Sequence, residues 1–211
     1  MAEKSGLILA LGDWVLATAL HQVRSLPRDN VGMTPWVTVN VSLSQLSQPG
    51  FRAGLAGLLE AEGVPPPALC LEVTEDVLAD ATGSSALAGI RELGVRVASD
   101  DFGIGHAPLT LLRRLPLDFL KLDRGFLEDL EGDARGAEFA GAVVGLVHAA
   151  GKQVIFEGIE TEAQYEMVLA SGADMAQGYF LAPPLSANAA ERFDVRPHPG
   201  VAGPSTSSLL E

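Results

Sequence analysis

The chain has 211 residues, 47% of them hydrophobic and 19% charged, with a formal net charge of -13. That length suits one domain of the larger sort, and that charge excludes a general surface for DNA, RNA or anionic membranes, which needs clustered Lys and Arg. A single cysteine, Cys70, and the lack of an apolar run long enough for a bilayer exclude an internal disulfide and predict a cytoplasmic chain without membrane insertion.

Taken in order, the apolar stretch from Gly6 to Leu20 is interrupted by Asp13 and has no small-residue cleavage site after it. It reads as part of an opening helix around Leu11–Ser25, not as a signal peptide. Six short segments then read as strands that are apolar on both faces: Trp36–Val41, Leu69–Val73, Val95–Ser99, Phe119–Leu122, Gln153–Phe156 and Met175–Tyr179. Such strands mark a parallel sheet covered on both sides. Helical patterns fill the intervals at Gln45–Glu62, Ser84–Leu93, Leu109–Leu115, Ala134–Ala150 and Glu162–Ser171, with stops at Gly63, Gly94, Gly151 and Gly172. The alternation predicts an α/β chain. Residues 196–211, rich in Pro, Gly and Ser, predict a disordered tail and leave 1–195 as the domain.

Polar residues stand at the C-terminal ends of these strands: Asn40, Glu72, Asp100, Lys121, Glu157 and Gln177. By the period of two they share a face with Thr38, Cys70, Ala98, Phe119, Ile155 and Met175, the interior of a β/α barrel, while Val39, Leu71, Leu120 and Leu122 face the helices. Chemistry at the C-terminal rim is what such a barrel hosts. Asp100 and Asp101 are adjacent carboxylates ending a buried strand. They repel unless a positive charge sits between them, and a divalent cation bound by carboxylate oxygens supplies one.

Taken singly, each residue has a plainer reading. Asn40 could cap the helix starting near Ser42, Glu72 could lie on a solvated edge, and Lys121 could be a structural ion-pair partner. Glu75 and Asp76 suit a helix N-terminus, as does one of Glu157 and Glu160. Six polar groups on six successive strand ends argue for a shared site.

The stretches Leu-Glu-Val-Thr-Glu (71–75), Ser-Asp-Asp-Phe-Gly (99–103), Leu-Lys-Leu-Asp-Arg (120–124), Phe-Glu-Gly-Ile-Glu (156–160) and Ala-Gln-Gly-Tyr (176–179), with Val-Asn-Val-Ser (39–42) and the opening Ala-Glu-Lys-Ser-Gly-Leu-Ile (2–8), closely resemble EAL domains. These are bacterial phosphodiesterases that open cyclic di-GMP to linear pGpG in second-messenger signalling. The resemblance runs in order from residue 2 to about residue 186. It implies a TIM-like (β/α) barrel with a two-metal site for Mg2+ or Mn2+, cyclic di-GMP as ligand, and leaves room for a homodimer. It assigns Asn40, Glu72 and Asp100 to the first metal, with Asp100 bridging to a second that Asp101 and Glu157 complete. Lys121 would hold or polarise the attacking water and Gln177 would position water or ligand. Glu75 matches the acid that steadies the loop after the Asp pair, and Glu160 matches a further rim acid.

Two departures qualify that pattern. The sequence contains no Glu-Ala-Leu, so the resemblance implies a domain without its first two strands, without a metal-binding Glu and a nearby ligand-holding Arg, and with impaired activity. The loop after the Asp pair reads Ile104-Gly105-His106-Ala107-Pro108, where the family commonly carries Thr-Gly-Tyr-Ser-Ser. The competing expectation is therefore a non-enzymatic module that binds the dinucleotide or a protein partner.

Overall fold

Six parallel strands lie side by side in chain order in one curled sheet. The computed structural model describes residues 7–27, 35–100, 112–133 and 135–193. Asp101, the 104–108 loop, part of the predicted helix at 109–115 and the predicted tail lie outside the described residues.

The strands are β1 (Val37–Asn40), β2 (Leu69–Val73), β3 (Arg96–Ser99), β4 (Phe119–Leu122), β5 (Gln153–Phe156) and β6 (Met175–Ala176). Helices α1 (Leu7–Val23), α2 (Leu43–Leu46), α3 (Phe51–Glu62), α4 (Glu75–Ala79), α5 (Ala81–Arg91), α6 (Arg124–Leu130), α7 (Gly136–Ala149), α8 (Glu162–Ser171) and α9 (Ala187–Ala190) connect and cover them. Every residue of β2 and β4 is buried, as both-sided covering demands.

Three apolar clusters follow the alternation of side chains along the strands. Val39, Leu71, Val73 and Val97 pack outward on Leu16 and Leu20 of α1, Leu55 and Leu59 of α3, and Leu87 and Ile90 of α5. Leu120, Leu122, Val154 and Phe156 pack outward on Leu127 of α6, Val144 and Val147 of α7, and Val168 of α8. Cys70, Ala98, Phe119 and Ile155, with Trp36 and Met175, fill the concave side. Strand ends above that inner cluster therefore project their next inward side chains to a common rim.

At the opposite end, two aspartates repeat one device. Asp118, just before β4, accepts the Val97 amide at 2.9 Å and pairs with Arg91. Asp174, just before β6, accepts the Val154 amide at 2.8 Å and contacts His148 at 2.8 Å. Each carboxylate satisfies a strand amide of the neighbouring β unit and ties it to a helix end. Nearby, the Trp36 and Phe119 rings stack 5.2 Å apart with the Arg96 guanidinium 5.5 and 5.8 Å from their centres.

The structure redraws several predicted elements. The segment 45–62 is two helices, because Pro49 disfavours helical backbone before it and removes an amide, and Gly50 follows in the left-handed region at φ 88°. Ser42, not Asn40, caps α2, in a reciprocal box with Gln45. Helix α5 starts earlier than Ser84 because the Asp80 carboxylate accepts the amides of Thr82 and Gly83. Helix α6 has no counterpart among the predicted elements; its seven residues are too few for a clear period, and the Asp123 side chain caps it. Strand β6 ends at Ala176, since the chain turns at Gly178 and the Phe180 amide then bonds to the Ile159 carbonyl.

Candidate active site

The backbone ladder continues past the strand ends and sets the height of each rim residue. The Asp100 amide donates to the Val73 carbonyl at 2.7 Å, and the Glu157 amide donates to the Leu122 carbonyl at 2.9 Å. Asn40 pairs with Glu72 in the β1–β2 register, so the two share the inner face. Lys121 takes the inward position of β4, two residues after Phe119 in the inner cluster.

These placements converge on one ammonium. Lys121 Nζ donates to Glu72 Oε1, lies 2.8 Å from Glu157 Oε1 and sits 3.7 Å from Asp100 Oδ1. The Lys121 and Glu72 side chains are 9% and 7% exposed, whereas Asp100 and Glu157 retain 26% and 18%. The cluster is deepest at Glu72 and opens toward Asp100 and Glu157.

Burial is the largest influence on Glu72 and pushes its carboxyl above the ordinary range, outweighing the hydrogen bond and charge of Lys121; Asp100 adds to the rise. Burial would lower Lys121, but hydrogen bonds to Glu157 and Glu72 and their charges prevail, so its ammonium is held charged. One cation thus serves three acids.

The donor set fits a hard divalent ion. Glu72, Asp100 and Glu157 each offer an oxygen within 4.8 Å of the others, all three are oxygen ligands of the kind Mg2+ or Mn2+ prefers, and among the described residues they share one ammonium, Lys121. Asp101, the further acid a second ion would use, is outside the described residues.

The remaining predicted site residues stand around this centre in different ways. Asn40 is exposed beside Glu72 in the register, and Gln177 is exposed one residue past β6, its amide bonded to the Phe156 carbonyl at 2.8 Å. Glu75 is half-buried at the first residue of α4. Neither Glu157 nor Glu160 opens a helix: α8 starts at Glu162 under a Thr161 cap. Glu160 instead pairs with Arg124, a residue the sequence reading did not select. Its only signal was position, three residues past Lys121.

Among the described residues, no helix is long and apolar enough to cross a membrane. Comparison with known proteins gives a consistent picture. The EAL domain model matches residues 1–184. The chain is 38% identical over 190 residues to the bifunctional diguanylate cyclase/cyclic di-GMP phosphodiesterase MucR of Pseudomonas aeruginosa, covering 89% of this chain and 27% of MucR. Among solved structures, the PaMucR phosphodiesterase in its c-di-GMP complex superposes with a TM-score of 0.77 at 34% identity, covering 89% of this chain and 76% of that one. The EAL domain of Mycobacterium smegmatis DcpA gives 0.76 at 36% identity, covering 87% and 83%. The chain spans about a quarter to a third of the length of the first curated relatives it matches, 24%, 27% and 32%. With the family's TIM-like fold and the matched segment running from residue 1 through the β6 rim, this chain belongs to the EAL domain family.

Proposed function

We propose that this domain is a divalent-metal-dependent phosphodiesterase that hydrolyses cyclic di-GMP to linear pGpG in the bacterial cytoplasm. The observation that carries the reading is the convergence of carboxylates from three strand ends on Lys121. The names of the relatives and the c-di-GMP complex of PaMucR supply the substrate class.

In this reading Glu72, Asp100 and Glu157, joined by Asn40 and Asp101, hold two Mg2+ or Mn2+ ions. When bound, such ions lower the cost of a hydroxide nucleophile and of charge on the phosphoryl oxygens. The chain's own groups do the rest. Lys121 keeps a positive charge at the rim and offers N–H donors to the attacking water or a phosphoryl oxygen. Gln177, exposed at the end of β6, orients water or ligand. Glu75 steadies the segment after the Asp pair from the start of α4, and Glu160 is a rim acid held by Arg124.

A second reading is a module that binds the dinucleotide without cleaving it. The specific observation in its favour is that the sequence contains no Glu-Ala-Leu, which leaves the family's metal set one glutamate short. We therefore expect slow turnover from this polypeptide.

The test is incubation with cyclic di-GMP and Mg2+ or Mn2+, with chromatographic detection of pGpG. Metal-dependent pGpG that falls at least tenfold in Lys121→Ala and in Glu157→Ala, about 1.4 kcal/mol of barrier, supports hydrolysis. Retention of the ligand without pGpG supports the binding module. Turnover that survives both substitutions overturns the assigned site.

A further inference from the structure

The loop that follows β5 carries Glu157; its far end is held by the Gln164 side chain of α8, which accepts the Glu160 amide at 2.8 Å, and the part nearer Glu157 is fixed from β6 and from β4. On the β6 side the fixing is all backbone: the Ile159 amide donates to the Gln177 carbonyl at 3.1 Å, and the Phe180 amide donates to the Ile159 carbonyl at 3.0 Å. Gly178 makes this approach feasible, since a Cβ there would lie 2.1 Å from the Ile159 oxygen.

On the β4 side the Glu157 amide bonds to the Leu122 carbonyl at 2.9 Å, and past that ladder bond the support comes from one side chain, Arg124. Gly158, adjacent to Glu157, adopts φ 70°, and a Cβ on it would lie 2.6 Å from Arg124 Cβ. The loop backbone therefore rests on the base of Arg124, its Cα, Cβ and Cγ; an alanine keeps the first two, so what Arg124→Ala removes is Cγ and the guanidinium. Beyond that contact, the guanidinium pairs with Glu160 at the far end of the same loop and with Glu128 one turn along α6 at 2.5 Å. Arg124 lies three residues after Lys121, so the segment that presents the ammonium also supports the loop that presents Glu157.

We propose that Arg124 is a positioning residue that sets Glu157 against Lys121. It touches neither partner's charged group; it acts through Gly158 and Glu160. The side chain is 54% exposed, so its ion pairs add little to global stability. What they add is a fixed loop path, with the Arg124 stem against Gly158 and the guanidinium on Glu160 two residues further on. The consequence for turnover rests on the phosphodiesterase reading; the geometric claim does not.

The test is a metal-free one. The sequence has three lysines, Lys4, Lys121 and Lys152, so the ammonium signals of a 15N-labelled sample are few, and a Lys121→Arg variant identifies the one from Lys121. A buried ammonium bonded to two carboxylates exchanges its protons slowly. The expected result in Arg124→Ala is at least fivefold faster exchange at Lys121, with an unchanged urea midpoint. Arg124→Lys, which keeps the stem and a cation, should stay within twofold of the parent protein. Gly158→Ala, which drives the loop off Arg124, should speed exchange as Arg124→Ala does; if it does not fold, the Arg124 pair decides.

Parent-like exchange in Arg124→Ala overturns the proposal. So does equal loss in Arg124→Lys, a fall in the urea midpoint that tracks the faster exchange, or no protected Lys121 signal in the parent protein. A parallel titration with Mn2+ and a pGpG assay on the parent keep the two readings apart. Their failure with the Arg124 pattern intact sinks the hydrolase reading alone, and the reverse sinks this inference alone.

Discussion

Replacing Lys121 by Met keeps most of the side-chain length and removes the charge that three carboxylates share. In metal-free protein this leaves Glu72, 7% exposed at its side chain, facing Asp100 and Glu157 with no ammonium between them. Breaking a buried ion pair by removing one partner costs about 3–5 kcal/mol. Asp100 and Glu157 retain 26% and 18% exposure and can turn toward water, so the lower end applies, about 3 kcal/mol. For a chain of this size that corresponds to a fall in Tm of about 6–12 °C. A divalent cation at the same oxygens replaces the lost charge. Mn2+ at a hundredfold over its Kd adds about 2.7 kcal/mol to any folded state that binds it, and the variant should gain at least as much as the parent. Urea unfolding in EDTA and in Mn2+ measures both, with Trp36, stacked on Phe119 inside the sheet, reporting on the core. A metal-free loss under about 1 kcal/mol, the scale of an exposed ion pair, would refute the reasoning. So would stabilisation by Mn2+ of the parent and not of the variant.

Three further outcomes follow from other parts of the fold. Phe156→Ala empties a fully buried position in the outer cluster of β5 and should cost about 3–5 kcal/mol in urea unfolding; a loss under about 1 kcal/mol would mean that this cluster is not packed as described. Asp174→Ala leaves the Val154 amide without its side-chain acceptor and should cost about 1–3 kcal/mol at neutral pH. Burial pushes the Asp174 carboxyl up, but hydrogen bonds from His148, the Val154 amide and Gln153 outweigh it and hold it below its ordinary 3.8. Its contribution is therefore present above that value and lost as pH falls through the lower, folded-state range, so the gap between parent and variant should close in acid; a gap that widens there would contradict the sign. Cys70 is fully buried and its thiol is pushed up to about 12, chiefly by burial, so iodoacetamide at mildly alkaline pH should label it only after urea unfolds the chain. Rapid labelling of folded protein would place the thiol elsewhere.

What the sequence disclosed and what it withheld divide along a physical line. Leu69–Val73, Phe119–Leu122 and Gln153–Phe156 match their predicted bounds because a strand covered on both faces writes its burial into consecutive residues. A lysine or glutamate inside such a run is conspicuous for the same reason, since burial obliges it to find a partner. Hence Glu72 and Lys121 could be singled out from one chain, and the period of two put them on the inner face with Cys70 and Phe119. Their mutual contact is another matter. It depends on how far each strand is staggered against the next, and that stagger is set by the whole curled sheet, not by any one segment. Loop residues carry even less local record. Glu157 and Glu160 are three residues apart in the same acidic, glycine-containing stretch, yet one turns to Lys121 and the other to Arg124. The turn between them is made by Gly158 at positive φ, pressed on Arg124, and the glycine is visible in the sequence while the side chain it makes room for is not. Helix α6 is the counterpart in secondary structure: its start is fixed by the Asp123 cap, and its short length hides the period that longer α7 displays. Where burial is local the sequence speaks for itself; where two loops meet, the partner is chosen by tertiary geometry, which is why Arg124 emerges only once β4 and β5 stand side by side.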